Sequence, residues 1–236
     1  MASASAFPLR ALISSAPPPA SLLARELGAF AYTRYMAAFG RAVPLPAANR
    51  SAPVVVIPGF MASDSTTARM RRSLGAAGFA VHGWGLGRNL GVDATLLERL
   101  DAQIDALGLK EPATLVGWSL GGLIAREYAK GQPHRVARVI TLGSPFSGDP
   151  RANNAWRAYE RITGHPVDHP PIACVLGEKP PVETIACWSA RDGVIAPLSA
   201  RGRPHERDRA LELDCSHMAF VASPRAIRTV ASLIAG

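Results

Sequence analysis

One short segment, residues 117–121, limits the possible folds of this chain more than any other part. It reads Gly117-Trp118-Ser119-Leu120-Gly121, a serine between two glycines at fixed spacing. The residues before it, Ala113–Val116, are typical of a buried strand, and those after it, Leu123–Lys130, of a helix. A sharp turn from strand to helix leaves no room for side chains beside the serine, which explains the glycines. The pattern predicts a strand–turn–helix unit with Ser119 at its tip.

Strands and helices alternate from residue 53 onward. Continuous apolar runs predict strands over residues 54–57, 79–84, 113–118, 136–142, 182–188 and 210–215. Amphipathic patterns predict helices over residues 65–77, 95–107, 120–130, 153–162 and 224–235. This alternation favours the α/β class, with a mostly parallel sheet covered by helices on both faces. In such sheets, functional groups gather at the carboxyl ends of the strands.

Residues 1–52 differ from the rest and are expected to form an N-terminal extension to a domain over residues 53–236. One helix is predicted there, over Ser21–Phe39, and it either packs on the domain or contacts a partner. Five side chains define its expected apolar face: Leu22, Leu23, Leu27, Phe30 and Tyr35.

A serine hydroxyl is a weak nucleophile unless a neighbouring base accepts its proton. Of six histidines, His217 is favoured because it follows the last predicted strand and precedes the final helix. Asp192 is the preferred partner for its imidazole, since it follows the neighbouring strand and the adjacent Gly193 permits a tight turn. Asp214 is the alternative, but it lies close to His217 in sequence. The order serine, acid, histidine matches that of strand–turn–helix nucleophiles.

Chemistry at an acyl carbon also requires donors for a developing oxyanion. The backbone N–H of Leu120, directly after the serine, is one candidate. The loop after the first strand, Pro58–Met61, offers the N–H of Phe60 as the second. An ordinary strand-ending turn remains the alternative for this loop.

Composition excludes several other classes of protein. The net charge is +8, but the basic residues are spread along the chain without interleaved aromatics, so we expect no nucleic-acid partner. No uncharged apolar run approaches the roughly 18–20 residues of a membrane span, so no integral membrane segment is expected. The N-terminal apolar stretch is interrupted by Arg10 and does not resemble a secretory signal, which favours a cytoplasmic protein. Three cysteines without metal-ligand spacing indicate free thiols, no metal site and no cofactor.

Together these motifs resemble the α/β-hydrolase superfamily, in its bacterial lipase/esterase-like branch. The resemblance rests on Val56–Phe60, Gly83–Asn89, Leu115–Gly122, Thr141–Pro145, Ser189–Gly193 and Ser216-His217. It implies an α/β-hydrolase fold of about six strands. It also implies Ser119 as nucleophile, Asp192 as acid, His217 as base, and Phe60 and Leu120 as oxyanion donors. Many members have His-Gly where this chain has Pro58-Gly59, a change that leaves the backbone donor in place.

The resemblance further implies a small cap over residues 145–181, although a proline-rich surface excursion is an equal alternative. Aromatic side chains there and beside the serine suggest a substrate pocket of Met61, Trp118, Phe146 and Trp156. The implied activity is hydrolysis of carboxylic esters, with a small-molecule or lipid ester as substrate. A thioesterase, phospholipase or amidase would use the same residues, and a non-catalytic binding protein on this scaffold is a further alternative.

Overall fold

The computed structural model describes residues 16–48 and 53–236. Its centre is one six-stranded sheet in which every pairing is parallel, with the order β2-β1-β3-β4-β5-β6. The strands are β1 (Pro53–Ile57), β2 (Ala80–Gly83), β3 (Ala113–Trp118), β4 (Val136–Leu142), β5 (Glu183–Trp188) and β6 (Arg209–Glu212). After β2, the chain crosses to the other side of β1 and adds β3 to β6 there, as in doubly wound sheets. The predicted class and strand number are confirmed.

Helices cover both faces of this sheet. They are α1 (Ala20–Phe39), α2 (Ala68–Ala76), α3 (Leu96–Ala106), α4 (Leu120–Gly131), α5 (Trp156–Thr163), α6 (Pro197–Arg201) and α7 (Pro224–Ala235). The strand β1 shows how two cores arise, because successive side chains point to opposite faces. Val54 and Val56 join the core under α2 and α7, whereas Val55 and Ile57 join the core under α3 and α4. Among the α-helices of the described residues, only the short α6 was not predicted from the sequence.

The helix α1 exists nearly as predicted, but the expected apolar face was wrong. Leu23, Leu27, Phe30 and Tyr35 are exposed, whereas Glu26, Thr33 and Ala37 are buried. Polar contacts hold the helix in place, so hydrophobic spacing could not identify its inner face. For example, the Thr33 hydroxyl donates to the Met218 carbonyl at 2.8 Å.

The expected boundary between extension and domain stays a prediction, because residues 49–52 lie outside the described part of the chain. The stretch around Arg10 also lies outside it. Among the described helices, none has both the length and the apolar character required to cross a membrane.

The turn between β3 and α4 lies directly against β1. A Cβ atom on Gly121 would be 2.3 Å from the Ile57 carbonyl oxygen and 2.7 Å from that of Pro58. These oxygens belong to the backbone of a central strand and its end, so they cannot move aside cheaply. Gly131, at the other end of α4, has nothing within 4 Å of such a Cβ.

We therefore predict that Gly121→Ala lowers the free energy of unfolding by about 1–3 kcal/mol or more, through overpacking. The matched variant Gly131→Ala should change it by no more than about 1 kcal/mol. Urea denaturation of both variants measures the difference. Equal stabilities would contradict the close packing of this turn.

Candidate active site

Ser119 occupies the strained tip of the turn between β3 and α4. Its backbone has φ 55° and ψ −122°, a region that residues other than glycine rarely adopt. The Ser119 N–H donates to the Leu142 carbonyl at 2.8 Å, so the turn is tied to the end of β4. Within the described residues, the only other non-glycine residue with positive φ is Met61, in the loop after β1. Backbone strain is thus concentrated around the predicted site.

Asp192 and His217 form a buried pair beyond the ends of β5 and β6. The Asp192 Oδ2 atom lies 2.8 Å from His217 Nδ1, and the two side chains are 1% and 2% exposed. The other oxygen of Asp192 accepts hydrogen bonds from the N–H groups of Val194 and Ile195, both at 2.8 Å. An acceptor at Nδ1 places the ring proton there and leaves Nε2 as the basic nitrogen.

The rival acid, Asp214, does not contribute to this pair. Its carboxylate bonds the Arg191 guanidinium at 2.8 Å, and both side chains are largely exposed. Of the two carboxylates considered from sequence, the structure therefore brings only Asp192 to the imidazole.

The pKa of His217 reflects two opposing influences. Burial lowers the pKa, because the charged imidazolium loses its hydration. The charge and hydrogen bond of Asp192, and more weakly the charge of Glu26, raise it by stabilising that cation. The net result is a pKa above the ordinary value for histidine.

The end of β4 connects this pair with the serine turn. Gly143 follows the strand with φ 57°, and a Cβ there would lie 2.9 Å from Asp192 Oδ2 and 3.1 Å from His217 Nδ1. On the other side, the Trp118 indole, adjacent to Ser119, donates from Nε1 to the His217 carbonyl at 3.1 Å. The rings of Trp118 and His217 are 5.6 Å apart. The serine turn and the histidine loop are therefore in direct contact.

The loop after β1 lies against the serine. A Cβ on Gly59 would lie 3.1 Å from that of Ser119. Across residues 16–48 and 53–236, no hydrogen bond is formed by the backbone N–H of Phe60 or of Leu120. The first N–H groups of a helix have no partner within the helix, which explains Leu120. Both candidate donors are thus available to a ligand.

Asn89 holds this loop in place and is fully buried. The side-chain amide nitrogen of Asn89 donates to the Pro58 carbonyl at 2.8 Å, and its backbone carbonyl accepts from the N–H of Met61 at 2.7 Å. The backbone N–H of Asn89 donates to the Ala62 carbonyl at 2.8 Å. The sequence places Asn89 in the segment after β2 but does not show this bracing role.

A largely apolar cavity has Ser119 in its wall. Phe60, Leu120 and Trp156 contribute to its wall, as do side chains of α3, α4 and the segment over residues 145–181. The apolar lining comprises Val92, Leu96, Leu97, Leu123, Ile124, Pro145, Pro150, Ala155, Val167, Pro170, Ile172, Leu176 and Ile195, with Tyr159 and Cys174 beside them. Its one charged residue, Glu127, is paired with Lys130 at 2.8 Å. The proline-rich segment therefore forms part of the cavity wall.

The other three predicted pocket residues lie elsewhere. Met61 is exposed, and Trp118 is buried against His217. Phe146 is fully buried beneath the guanidinium of Arg126, 4.1 Å from the ring centroid. Aromatic character alone does not distinguish a cavity wall from a core position.

Across the described ranges, no group of three or more histidine, cysteine, aspartate or glutamate side chains is arranged to hold a metal ion. All three cysteines there are free thiols, and burial raises the pKa of Cys187 to about 12. That thiol is therefore not a nucleophile near neutral pH.

One buried residue beside the pair was not anticipated. Glu26 of α1 is 4% exposed and contacts the loops that carry Asp192 and His217. The sequence did contain a signal for this residue. Glu26 is the only acidic residue before Asp64, and its helix is otherwise rich in apolar residues.

Replacing Asp192 by asparagine is predicted to lower the pKa of His217, because burial is then opposed only by the weaker effect of the Glu26 charge. The ring nitrogen chemical shifts of His217, followed by NMR against pH, measure this change. Asp214→Asn is the matched control and should leave the titration unchanged. A pKa that is the same in Asp192→Asn as in the unmodified protein would contradict the assignment.

Short regions of curated relatives match this chain. It is 43% identical over 58 residues to a pimeloyl-[acyl-carrier protein] methyl ester esterase of Aromatoleum aromaticum, and 42% identical over 60 residues to the Salmonella heidelberg protein of that name. The matches cover 24% and 25% of this chain, and 23% of each relative. The chain therefore matches about a quarter of these relatives' length.

Solved structures match over a much larger part of the chain. A monoacylglycerol lipase of Paleococcus ferrophilus covers 80% of this chain and 96% of its own, with a TM-score of 0.56 at 16% identity. A carboxylesterase of Bacillus subtilis covers 81% and 86%, with a TM-score of 0.57 at 13% identity. At these identities, the likeness concerns the fold.

A family model described as the alpha/beta hydrolase fold matches residues 52–161. This region contains β1 to β4 and the serine turn. The sheet order, the strained serine and these matches agree with one another. The chain has the α/β-hydrolase fold.

Proposed function

We propose that this protein is a serine hydrolase that cleaves carboxylic esters with an apolar acyl group. The observation that carries the proposal is the buried Asp192–His217 pair, whose histidine loop contacts the serine turn, together with the strained Ser119 in the wall of an apolar cavity. The local likeness to methyl ester esterases supports the choice of an ester.

In the proposed reaction, Ser119 Oγ attacks the ester carbonyl while His217 Nε2 accepts the hydroxyl proton. Asp192 keeps the imidazole oriented and stabilises the imidazolium that forms. The N–H groups of Phe60 and Leu120 bind the oxyanion of the tetrahedral intermediate. His217 then gives its proton to the departing alkoxide, which leaves an acyl-enzyme on Ser119.

Water completes the cycle by the same route in reverse. His217 takes a proton from the water as its oxygen attacks the acyl carbon. Collapse of the second tetrahedral intermediate returns that proton to Ser119 and releases the carboxylic acid. The acyl chain lies in the cavity during both steps, where apolar walls replace its contact with water.

The direct test is hydrolysis of p-nitrophenyl esters from acetate to palmitate. We expect activity in the unmodified protein and a loss of kcat on the order of 10⁴ or more in Ser119→Ala. Folded protein without activity on any ester would contradict the proposal. Activity on thioesters, phospholipids or amides instead would keep the serine mechanism and change the substrate class.

The pH profile gives a second prediction. His217 accepts a proton only when it is neutral, and its pKa is raised in the folded protein. As the pH falls through that pKa, kcat/KM should therefore decline, with a midpoint above the ordinary value of about 6.5. A midpoint well below that value would contradict the proposed base.

A third prediction concerns the cavity. Leu123→Trp adds volume to its wall and should raise KM for long-chain esters several-fold while acetate hydrolysis is little changed, because a long acyl chain occupies more of the cavity than an acetyl group. Leu90→Trp is the control, since Leu90 is exposed and outside the wall. The same KM ratio between palmitate and acetate in both variants would show that the acyl chain binds elsewhere.

A further inference from the structure

Glu26 lies on the inner face of α1, far in sequence from the proposed catalytic residues. It is 4% exposed, although most of the surface of this helix faces outward. A buried carboxylate is costly unless hydrogen bonds replace its lost hydration. Its partners therefore indicate what the residue does.

Three backbone N–H groups converge on the Glu26 carboxylate. Its Oε1 atom accepts from Gly193 at 2.9 Å and from His217 at 2.7 Å, and its Oε2 atom accepts from Met218 at 3.0 Å. All three partners are donors, which is the arrangement that a carboxylate requires. Hydrogen bonds to a charged acceptor are also the stronger kind.

These three groups belong to the two loops that bear the acid and the base. Gly193 directly follows Asp192 after β5, whereas His217 and Met218 lie in the loop after β6. One carboxylate therefore joins two loops whose separation determines the Asp192–His217 distance. The fit is close, because a Cβ on Gly193 would lie 2.4 Å from the Leu22 carbonyl oxygen and 2.8 Å from Glu26 Cγ.

Further contacts fix α1 over the same loops. The Asn154 amide donates to the carbonyls of Pro18 and Gly193, both at 2.9 Å. The Thr33 hydroxyl donates to the Met218 carbonyl. At the other end of the helix, the Arg72 guanidinium donates to the Ala37 carbonyl at 2.8 Å. The helix is thus held at several points, and Glu26 supplies the bond to the His217 backbone.

We propose that Glu26 is a positioning residue, which makes the N-terminal helix part of the catalytic apparatus by fixing His217 against Asp192. This inference rests on the proposed hydrolase function. Glu26 does not touch the ring nitrogens and takes no part in proton transfer. It holds the backbone of His217 and adds a second negative charge beside the imidazole.

The charge has a measurable consequence. The charged groups that face His217 are Asp192, from the loop after β5, and Glu26, from α1, and both raise its pKa against the effect of burial. Trp118 and Phe220, which pack against the ring, are uncharged. The nearby thiol of Cys215 has a pKa raised by burial, and is therefore neutral near pH 7.

The first variant is Glu26→Gln, which keeps the side-chain shape. It removes the charge and turns an amide donor toward one of the three N–H groups. We expect kcat to fall roughly tenfold or more with KM nearly unchanged, because a displaced base harms the reaction but not substrate binding. The acid limb of kcat/KM should move to lower pH, a change that a purely structural residue would not produce.

Two controls separate positioning from stability. Asp208→Asn removes another carboxylate that accepts a backbone N–H, from Thr184 at 2.8 Å, at the opposite end of the sheet. It should leave kcat and the pH profile unchanged. Thr33→Val removes a neutral hydrogen bond between α1 and Met218, and should leave the pKa of His217 unchanged even if Tm falls.

If Glu26→Gln does not fold, Glu26→Asp decides the question. It keeps the charge but shortens the side chain by one methylene, so the N–H groups lose their close acceptor. We expect a reduced kcat and an acid limb nearer to that of the unmodified protein. A folded Glu26→Asp variant with the same kcat as the unmodified protein would overturn the proposal.

An NMR titration of the His217 ring in Ser119→Ala protein needs no substrate. Adding Glu26→Gln should lower the pKa of His217, and an unchanged pKa would overturn the proposal whatever the activity. If the pKa falls but the unmodified protein hydrolyses no ester, the proposed function fails while the placement of Glu26 stands. If esters are hydrolysed and Glu26→Gln has unmodified kcat and pH profile, only the role of Glu26 fails.

Discussion

Three glycines on either side of the turn between β3 and α4 have no space for a side chain, and the rest of the site depends on this. A Cβ on Gly117 would lie 2.4 Å from the Gly121 carbonyl oxygen, and a Cβ on Gly121 would lie 2.3 Å from the Ile57 carbonyl oxygen. A Cβ on Gly122 would lie 2.0 Å from the side-chain oxygen of Ser144. The tight packing holds Ser119 in a backbone conformation that it would not adopt alone. The serine is thereby placed where β1, β3 and β4 end, and the loops that follow these strands can meet around it.

Buried acceptors then arrange those loops. One carboxylate oxygen of Asp192 accepts two backbone N–H groups, and the other accepts from the His217 ring. The two backbone bonds fix the carboxylate that orients the imidazole. Asn89 braces the loop that carries Phe60 in a similar way. Glu26 joins the acid and histidine loops from outside the sheet. Such bonds are effective because the site is buried, and a low dielectric strengthens satisfied polar contacts.

Sequence reasoning predicted the sheet correctly, because continuous apolar runs identify strands that are buried on both faces. It also placed Ser119, Asp192 and His217 at the carboxyl edge of the sheet, since each follows a strand, and their catalytic roles stay a prediction. It did not find the inner face of α1, which is defined by Glu26 and other polar contacts, and hydrophobic periodicity does not register these. It also misplaced Trp118 and Phe146, because an aromatic residue packs equally well against a histidine or under an arginine as in a cavity. Local pattern predicts elements, whereas such contacts depend on how distant segments meet.

The proposed mechanism requires Ser119 to be an activated nucleophile. Covalent labelling of the intact protein with a fluorophosphonate, followed by mass spectrometry of the protein and its peptides, tests this requirement. We expect one adduct per chain, located on Ser119, with labelling that slows as His217 becomes protonated. Absence of an adduct on folded protein, or an adduct located on another residue, would contradict it.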